Sequence, residues 1–122
     1  MTSLDDAVAT IDENADPNHG DMTPSVFALA DIGLPAVPRL LDLMLDAPPA
    51  TRRRAQRALE RIVMRRDHGY VEGRGFPSPA DDTAFLAAWA ARGSYDADAG
   101  DEARRKAVGL WRAWLREQGG TP

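Results

Sequence analysis

The chain has no cysteine. Disulfides, thiolate metal sites and cysteine nucleophiles are therefore excluded, and a reducing compartment is compatible. Histidine is almost as scarce. His19 and His68 are the only two, neither has a second His or Cys at ligand spacing, and no metal site is expected. Of the fifteen basic residues only Lys106 is a lysine. Runs of β-branched residues are missing, and no segment reads as a strand. No apolar stretch approaches the roughly 18 residues needed to cross a bilayer, so no membrane partner is expected. The start of the chain, Met1-Thr2-Ser3-Leu4-Asp5-Asp6, is acidic and lacks the basic and apolar regions of a signal peptide, so the expected location is cytoplasmic. There is no glycine-rich phosphate loop: Gly73-Arg74-Gly75 lacks the strand and helix that would give it that meaning, and no cofactor is expected.

What is present is alanine, leucine and arginine. The 122 residues, 43% hydrophobic, suffice for one helical domain with its own core. A net charge of −4 hides a strong polarity. Residues 1–49 carry −8, residues 50–76 carry eight arginines and +5, and the remainder carries −1. Such polarity steers partners, or it arises where acidic and basic neighbours face each other.

Apolar spacing predicts six helices. Leu4, Val8 and Ile11 mark the first, over 4–13, with Asp5 and Asp6 in its first turn. Thr23-Pro24 opens the second, which runs to Ile32 and ends at Gly33. Val37, Leu40, Leu41, Met44 and Leu45 form the stripe of the third, closed by Asp46 and Pro48-Pro49. The fourth, 50–67, sets Ala55, Ala58, Leu59, Ile62 and Val63 on one face and Arg53, Arg57 and Arg61 on the other. Residues 69–80, rich in Gly and Pro, read as an ordered loop or insertion, of a length that is often functional. Asp81-Asp82 caps the fifth helix, about 82–92, with Phe85, Leu86 and Trp89 as its large apolar residues at i, i+1 and i+4. Asp101-Glu102 opens the sixth, 101–118, with Ala103, Ala107, Leu110, Trp111 and Trp114 on a broad apolar face.

A thirty-residue echo runs through this order. Ala28, Leu29 and Ile32 return as Ala58, Leu59 and Ile62. Recurrence of a helix pair at this spacing points to stacked helical hairpins. Between Ala28 and Ile62, the residues Ala28-Leu29, Asp31-Ile32-Gly33, Ala36-Val37-Pro38, Leu40-Leu41, Asp46 and Thr51-Arg52 resemble the HEAT-repeat superfamily, in the short bacterial form related to phycobilisome-lyase-type repeats. Ala30 stands where that pattern has glycine. The resemblance implies an all-α, right-handed superhelix of about three helical hairpins in a single domain, 1–122. Its best-matched repeat is 34–67, residues 69–80 are a loop insertion, and 81–118 is a degenerate capping repeat bearing the tryptophans. It also implies that Asp46 and Arg52 form a structural ion pair between repeats. A helical wheel at roughly 100° per residue puts Arg52 near the apolar face, away from Arg53, Arg57 and Arg61.

Two groups of residues are candidates for partner binding. Arg53, Arg57 and Arg61, with Arg54 and Arg65 beside them, form a basic ridge. It would meet an acidic protein or phosphates, or it is a solvated face offset by the acidic N-terminal segment. The near absence of lysine and the net negative charge weigh against nucleic acid. Tyr70, Arg74 and Phe76 have the composition of a contact hot spot, unless the aromatics fold back over the core. Trp89, Trp111 and Trp114 read as core rather than as a ligand-stacking platform, and the acidic pairs read as helix starts rather than catalytic carboxylates. The functional expectation is a non-catalytic protein-binding or scaffold module whose concave face is lined by the arginine ridge, with no catalytic residue. The alternative is an enzyme or enzyme subunit of the same class, a lyase or maturation factor or a protein acting on nucleic acid. Oligomeric state stays open.

Overall fold

The computed structural model describes residues 2–119. Six α-helices follow in order: α1 Leu4–Ala9, α2 Pro24–Ile32, α3 Val37–Asp46, α4 Pro49–Asp67, α5 Pro79–Ala91 and α6 Asp101–Glu117. The fold is all-α. Among the described residues the only β-type pairing is a single bridge, Val71 with Gly75. No helix among them is long and apolar enough to cross a membrane.

Most helix starts follow their local chemistry. Ser3 caps α1 by accepting the Asp6 N–H at 3.1 Å, and Thr23 caps α2 by accepting that of Val26 at 3.2 Å. Gly33 ends α2 at φ +80°, a conformation that favours glycine, and a 3₁₀ turn over Leu34–Ala36 leads straight into α3. Two boundaries differ from the sequence expectation. Helix α1 stops at Ala9 instead of residue 13. The Thr10 hydroxyl turns back to the Asp6 carbonyl at 2.7 Å, the Thr23 hydroxyl takes the Ile11 carbonyl at 2.7 Å, and Asn14 adopts φ +59°. The Ile11 carbonyl thus takes a side-chain donor from outside the segment, and the left-handed Asn14 cannot continue a right-handed helix. Helix α5 starts at Pro79 with Ser78 as its cap, so Asp81 and Asp82 lie inside its first turn rather than capping it.

The core forms where α2 and α4 pack side by side and α3 packs against both α4 and α6. Helix α1 rests on α2, and α5 touches α4. The two copies of the sequence echo are thus neighbours in space. Leu29 and Leu59 are fully buried, as are the α3 stripe residues Val37, Leu40, Leu41 and Met44. Helix α6 is rotated from the expected face. Val108 and Leu115 join Ala107, Trp111 and Trp114 in the core, while Ala103 and Leu110 are exposed. On α5 only Phe85 is buried, and Leu86 is 60% exposed.

Aromatic rings connect the C-terminal half. Tyr70, Phe76, Phe85, Trp89, Trp111 and Trp114 form an unbroken string with successive centroids 5.2, 6.1, 6.0, 5.1 and 5.3 Å apart. These rings hold α5 away from α6 through side chains rather than through close backbone contact. The exception is Gly93, at φ +93°, where an added Cβ would lie 2.9 Å from the Ala107 Cα. The loop after it is pinned by Tyr95, which the sequence pattern did not single out. Its ring is buried and its hydroxyl donates to the Met44 carbonyl at 2.7 Å.

Burial pushes the Tyr95 phenol up to about 12, against the opposing charges of Arg52 and Arg104. The neutral phenol is the form the fold accepts, so its contribution is intact below the unfolded value near pH 10 and is lost as pH rises towards 12. Tyr95→Phe is expected to cost about 1 kcal/mol at pH 8 by leaving the Met44 carbonyl without its donor. It is also expected to flatten the fall in stability above pH 10. Urea midpoints of the two proteins from pH 8 to 11.5 test this. Parallel curves would show that Tyr95 does not titrate with unfolding, since Tyr70 is common to both.

Candidate interaction site

The ridge predicted on α4 exists, but its charges are answered from within the chain. Arg53 meets Asp98 at 2.8 Å and Asp21 at 3.5 Å. Arg57 meets Glu60 at 2.8 Å and Asp21 at 3.4 Å. Arg61 meets Glu72 at 2.9 Å. Beside them Arg54 pairs with Asp12 at 2.7 Å and Arg65 with Asp31 at 2.7 Å. Acids of the first 49 residues thus face the basic helix, and the charge polarity of the sequence is largely an internal match. Half-exposed pairs of this kind contribute little stability each. Their main effect is to neutralise the surface.

Protonation follows the same geometry. Burial works to lower the pKa of Arg57, but the hydrogen bond and charge of Glu60, with Asp21, outweigh it and raise the value. Burial would lift the Glu72 carboxyl, yet hydrogen bonds from Tyr70 and Arg61 and the Arg61 charge hold it below its usual value. Glu72 is a node: it also accepts from Arg65 at 3.3 Å and from the Tyr70 hydroxyl at 2.9 Å.

The segment before α2 forms a wall beside this ridge. Asp16 accepts the Asn18 and His19 N–H groups at 2.8 and 3.1 Å, and its own N–H donates to the Met22 carbonyl at 2.9 Å. Arg54 fastens the segment to α4 by donating to the Gly20 carbonyl at 2.9 Å. Asp12, just upstream, also accepts the Thr51 hydroxyl at 2.7 Å. Between wall and ridge lies an open depression of about 580 Å³, bordered by Asp21, Met22, Phe27, Arg57 and Arg61. Phe27 is 37% exposed, and the Arg61 guanidinium lies 5.6 Å from its ring centroid. Phe27 was missed in the sequence. The available signal was its position on α2, off the face that buries Val26, Leu29 and Ala30.

The second candidate group divides. Phe76 packs on the core as the second ring of the aromatic string, and Tyr70 lies edge-on against it with its hydroxyl on Glu72. Arg74 stays exposed at the tip of the tight turn closed by the Val71–Gly75 bridge, with no side-chain hydrogen bond or ion pair among the described residues. Two of the tryptophans are core, and Trp89 is partly buried against them. Trp111 is fully buried, Trp114 nearly so, and the Trp89 indole donates to the Tyr95 carbonyl at 3.0 Å.

The expected Asp46–Arg52 ion pair is not formed. Arg52 donates to two carbonyls, Ala97 and Ala47, each at 2.9 Å, and Asp46 instead accepts from Arg105 at 3.1 Å. Arg104 mirrors Arg52, donating to the Ala99 carbonyl at 2.7 Å and the Leu45 carbonyl at 3.1 Å. Each arginine binds the carbonyl five residues before it and one across the junction, Arg52 in the loop before α6 and Arg104 at the end of α3. The loops leading into α4 and α6 are thereby clasped reciprocally, which leaves Asp46 free to turn outward. No group of three or more His, Cys, Asp or Glu residues that could hold a metal ion occurs among the described residues.

Comparison of the chain with protein-family models, with curated proteins and with solved structures finds no match.

Proposed function

We propose that the protein is a non-catalytic protein-binding module that works through the depression between the segment before α2 and helix α4. The observation that carries this is Arg61 stacked over the part-exposed Phe27 at the rim of an open hollow. Arginine and aromatic side chains beside a concavity are the usual composition of a binding hot spot. Because Arg53, Arg57 and Arg61 already have acidic partners, recognition rests on shape and on the guanidinium–aromatic pair rather than on net charge. This favours a protein of mixed charge over nucleic acid, whose binding needs unneutralised cations. An acidic partner would have to displace Asp21 or Asp98, which are partly and largely exposed.

The same proposal includes a HEAT-like, right-handed stacking of the helices and a cytoplasmic location. The stacking is supported by the packing of α2 on α4, where the echo residues Leu29, Ala58, Leu59 and Ile62 are buried and Ala28 and Ile32 partly so.

Affinity capture from native cells with the wild type, the Phe27→Ala/Arg61→Glu double variant and an Arg116→Glu control tests the reading. Partners recovered by the wild type and the control are expected to be depleted at least about tenfold with the double variant, as for loss of a hot-spot pair. Equal recovery by all three proteins would assign binding to another face.

A further inference from the structure

We infer that residues 12–21 form a flap that swings as a unit on a fixed base, with Arg54 as its latch. The inference rests on the hollow beside α4 being the binding site, but the motion itself is observable without a partner. The base is buried: Ile11 and Thr23 are 3% and 1% exposed. The Thr23 hydroxyl donates to the Ile11 carbonyl at 2.7 Å, and the Thr10 and Ser25 hydroxyls share a hydrogen bond of 2.6 Å. These bonds join the two limbs of the segment. Between the limbs, every residue from Asp12 to Gly20 is exposed. A segment that buries no side chain gains little from the hydrophobic effect, which places it at the low end of local stability.

The flap keeps its own shape. The Asp16 N–H donates to the Met22 carbonyl and the Met22 N–H to the His19 carbonyl, both at 2.9 Å, and the Asp16 carboxylate accepts two N–H groups of its own turn. Its ties to α4 are polar. Arg54, only 15% exposed, reaches both limbs. It meets Asp12 at 2.7 Å on the first, and on the second its Nε and Nη2 donate to the Gly20 carbonyl at 3.1 and 2.9 Å. The Thr51 hydroxyl adds one bond, to Asp12. The other contacts, from Arg53 and Arg57 to Asp21, are 3.5 and 3.4 Å long and part-exposed, so they add little. Closure therefore depends chiefly on Arg54. Asn14 on one limb is already at φ +59°, and an added Cβ on Gly20 of the other limb would meet nothing within 4 Å. Rotation at these two positions is enough to swing the segment.

The swing decides whether the hollow exists. Asp16, His19, Gly20 and Asp21 are four of the eight residues that border it, whereas Phe27, Arg57 and Arg61 belong to α2 and α4. Closure completes the hollow, and opening leaves Phe27 and Arg61 beside a missing wall. Arg54 does not border the hollow. It is a positioning residue, which sets the fraction of molecules whose site is complete and so scales the affinity for anything bound there.

The test is the distance between two nitroxide labels, measured by pulsed electron resonance. The chain has no cysteine, so labels attach only at Asn18→Cys on the flap and Glu102→Cys on α6, both exposed sites. The doubly labelled parent is expected to give one narrow distance. Arg54→Leu keeps an apolar stem but no donor, and is expected to raise the displaced population at least about tenfold. Asp12→Ala, on the flap side of the same pair, is expected to shift it the same way by less, since the Gly20 bonds remain. Arg39→Leu breaks an ion pair with Asp5, outside the flap, and is expected to change nothing. Circular dichroism confirms that each variant is folded. An Arg54→Leu distribution as narrow as the parent's would overturn the inference, and so would equal broadening by Arg39→Leu. No partner enters the measurement, so a failed capture experiment would leave the flap standing, and a rigid segment would leave the hollow a binding site.

Discussion

Replacing Trp111 by alanine is expected to destabilise the protein by about 3–5 kcal/mol and to lower its thermal midpoint by more than about 10 °C. Trp111 is fully buried on α6, between Trp89 at 5.1 Å and Trp114 at 5.3 Å, with the Arg92 guanidinium over its ring. Helix α5 has little else to hold it, since Phe85 is its one buried residue and its backbone contacts to the rest are sparse. Loss of the indole would therefore open a cavity and also free α5, Trp89 and the loop behind them. Trp111→Phe keeps an aromatic ring at this place in the string. It also removes the indole N–H, which is buried without a hydrogen-bond partner. Its penalty is expected to be less than half that of alanine, because one unmatched donor leaves with the lost ring volume. Chemical denaturation of the three proteins checks both figures. A Trp111→Ala penalty below about 1.5 kcal/mol would mean that α5 is held by something other than the aromatic string.

Much of the helical frame was legible because burial on α3 and α4 is one-sided. Val37, Leu40, Leu41 and Met44, and likewise Ala55, Ala58, Leu59, Ile62 and Val63, recur at helical spacing and are all buried. On α6 the same reading went astray by part of a turn. Ala103 and Leu110 are apolar and at helical spacing with the tryptophans, but they sit at the rim of a face whose centre holds Trp111 and Leu115. Arg104 lies near that centre. A cation on the apolar side of a helix was the available signal for the clasp, as it was for Arg52. The pairing itself was not legible, because the partners are backbone carbonyls, which leave no trace in side-chain identity. Tyr95 was hidden for a related reason: one aromatic between Ser94 and Asp96 has no periodicity around it.

At the candidate site the sequence located the arginines but not their partners. Arg53, Arg57 and Arg61 lie on one face as expected, yet Asp21, Glu72 and Asp98 come from three separate loops. Only the folded chain brings those acids together. The segment charges of −8 and +5 hinted at the match without naming it.

The reciprocal clasp leads to the second large effect. Arg104→Ala is expected to cost about 2–3 kcal/mol, and Arg52→Ala about 2 kcal/mol, since each removes two charge-assisted hydrogen bonds and strands two carbonyls. Arg104 should be the larger because its side chain is only 11% exposed, so water cannot readily replace it. Both arginines tie the end of α3 and the residue after it, 45–47, to the loop at 97–99. Once one arginine is gone, the loops are less ordered and the other has less to hold. The double variant is therefore expected to lose less than the sum of the two single losses, by at least about 0.5 kcal/mol. Lysine at either position should recover less than about half of the loss, because one ammonium cannot span two carbonyls as the planar guanidinium does. Strict additivity in the double-mutant cycle would show two independent capping bonds. Full rescue by lysine would show that the positive charge alone matters, near Asp98 and Asp101, and not the fork that joins one loop to the other.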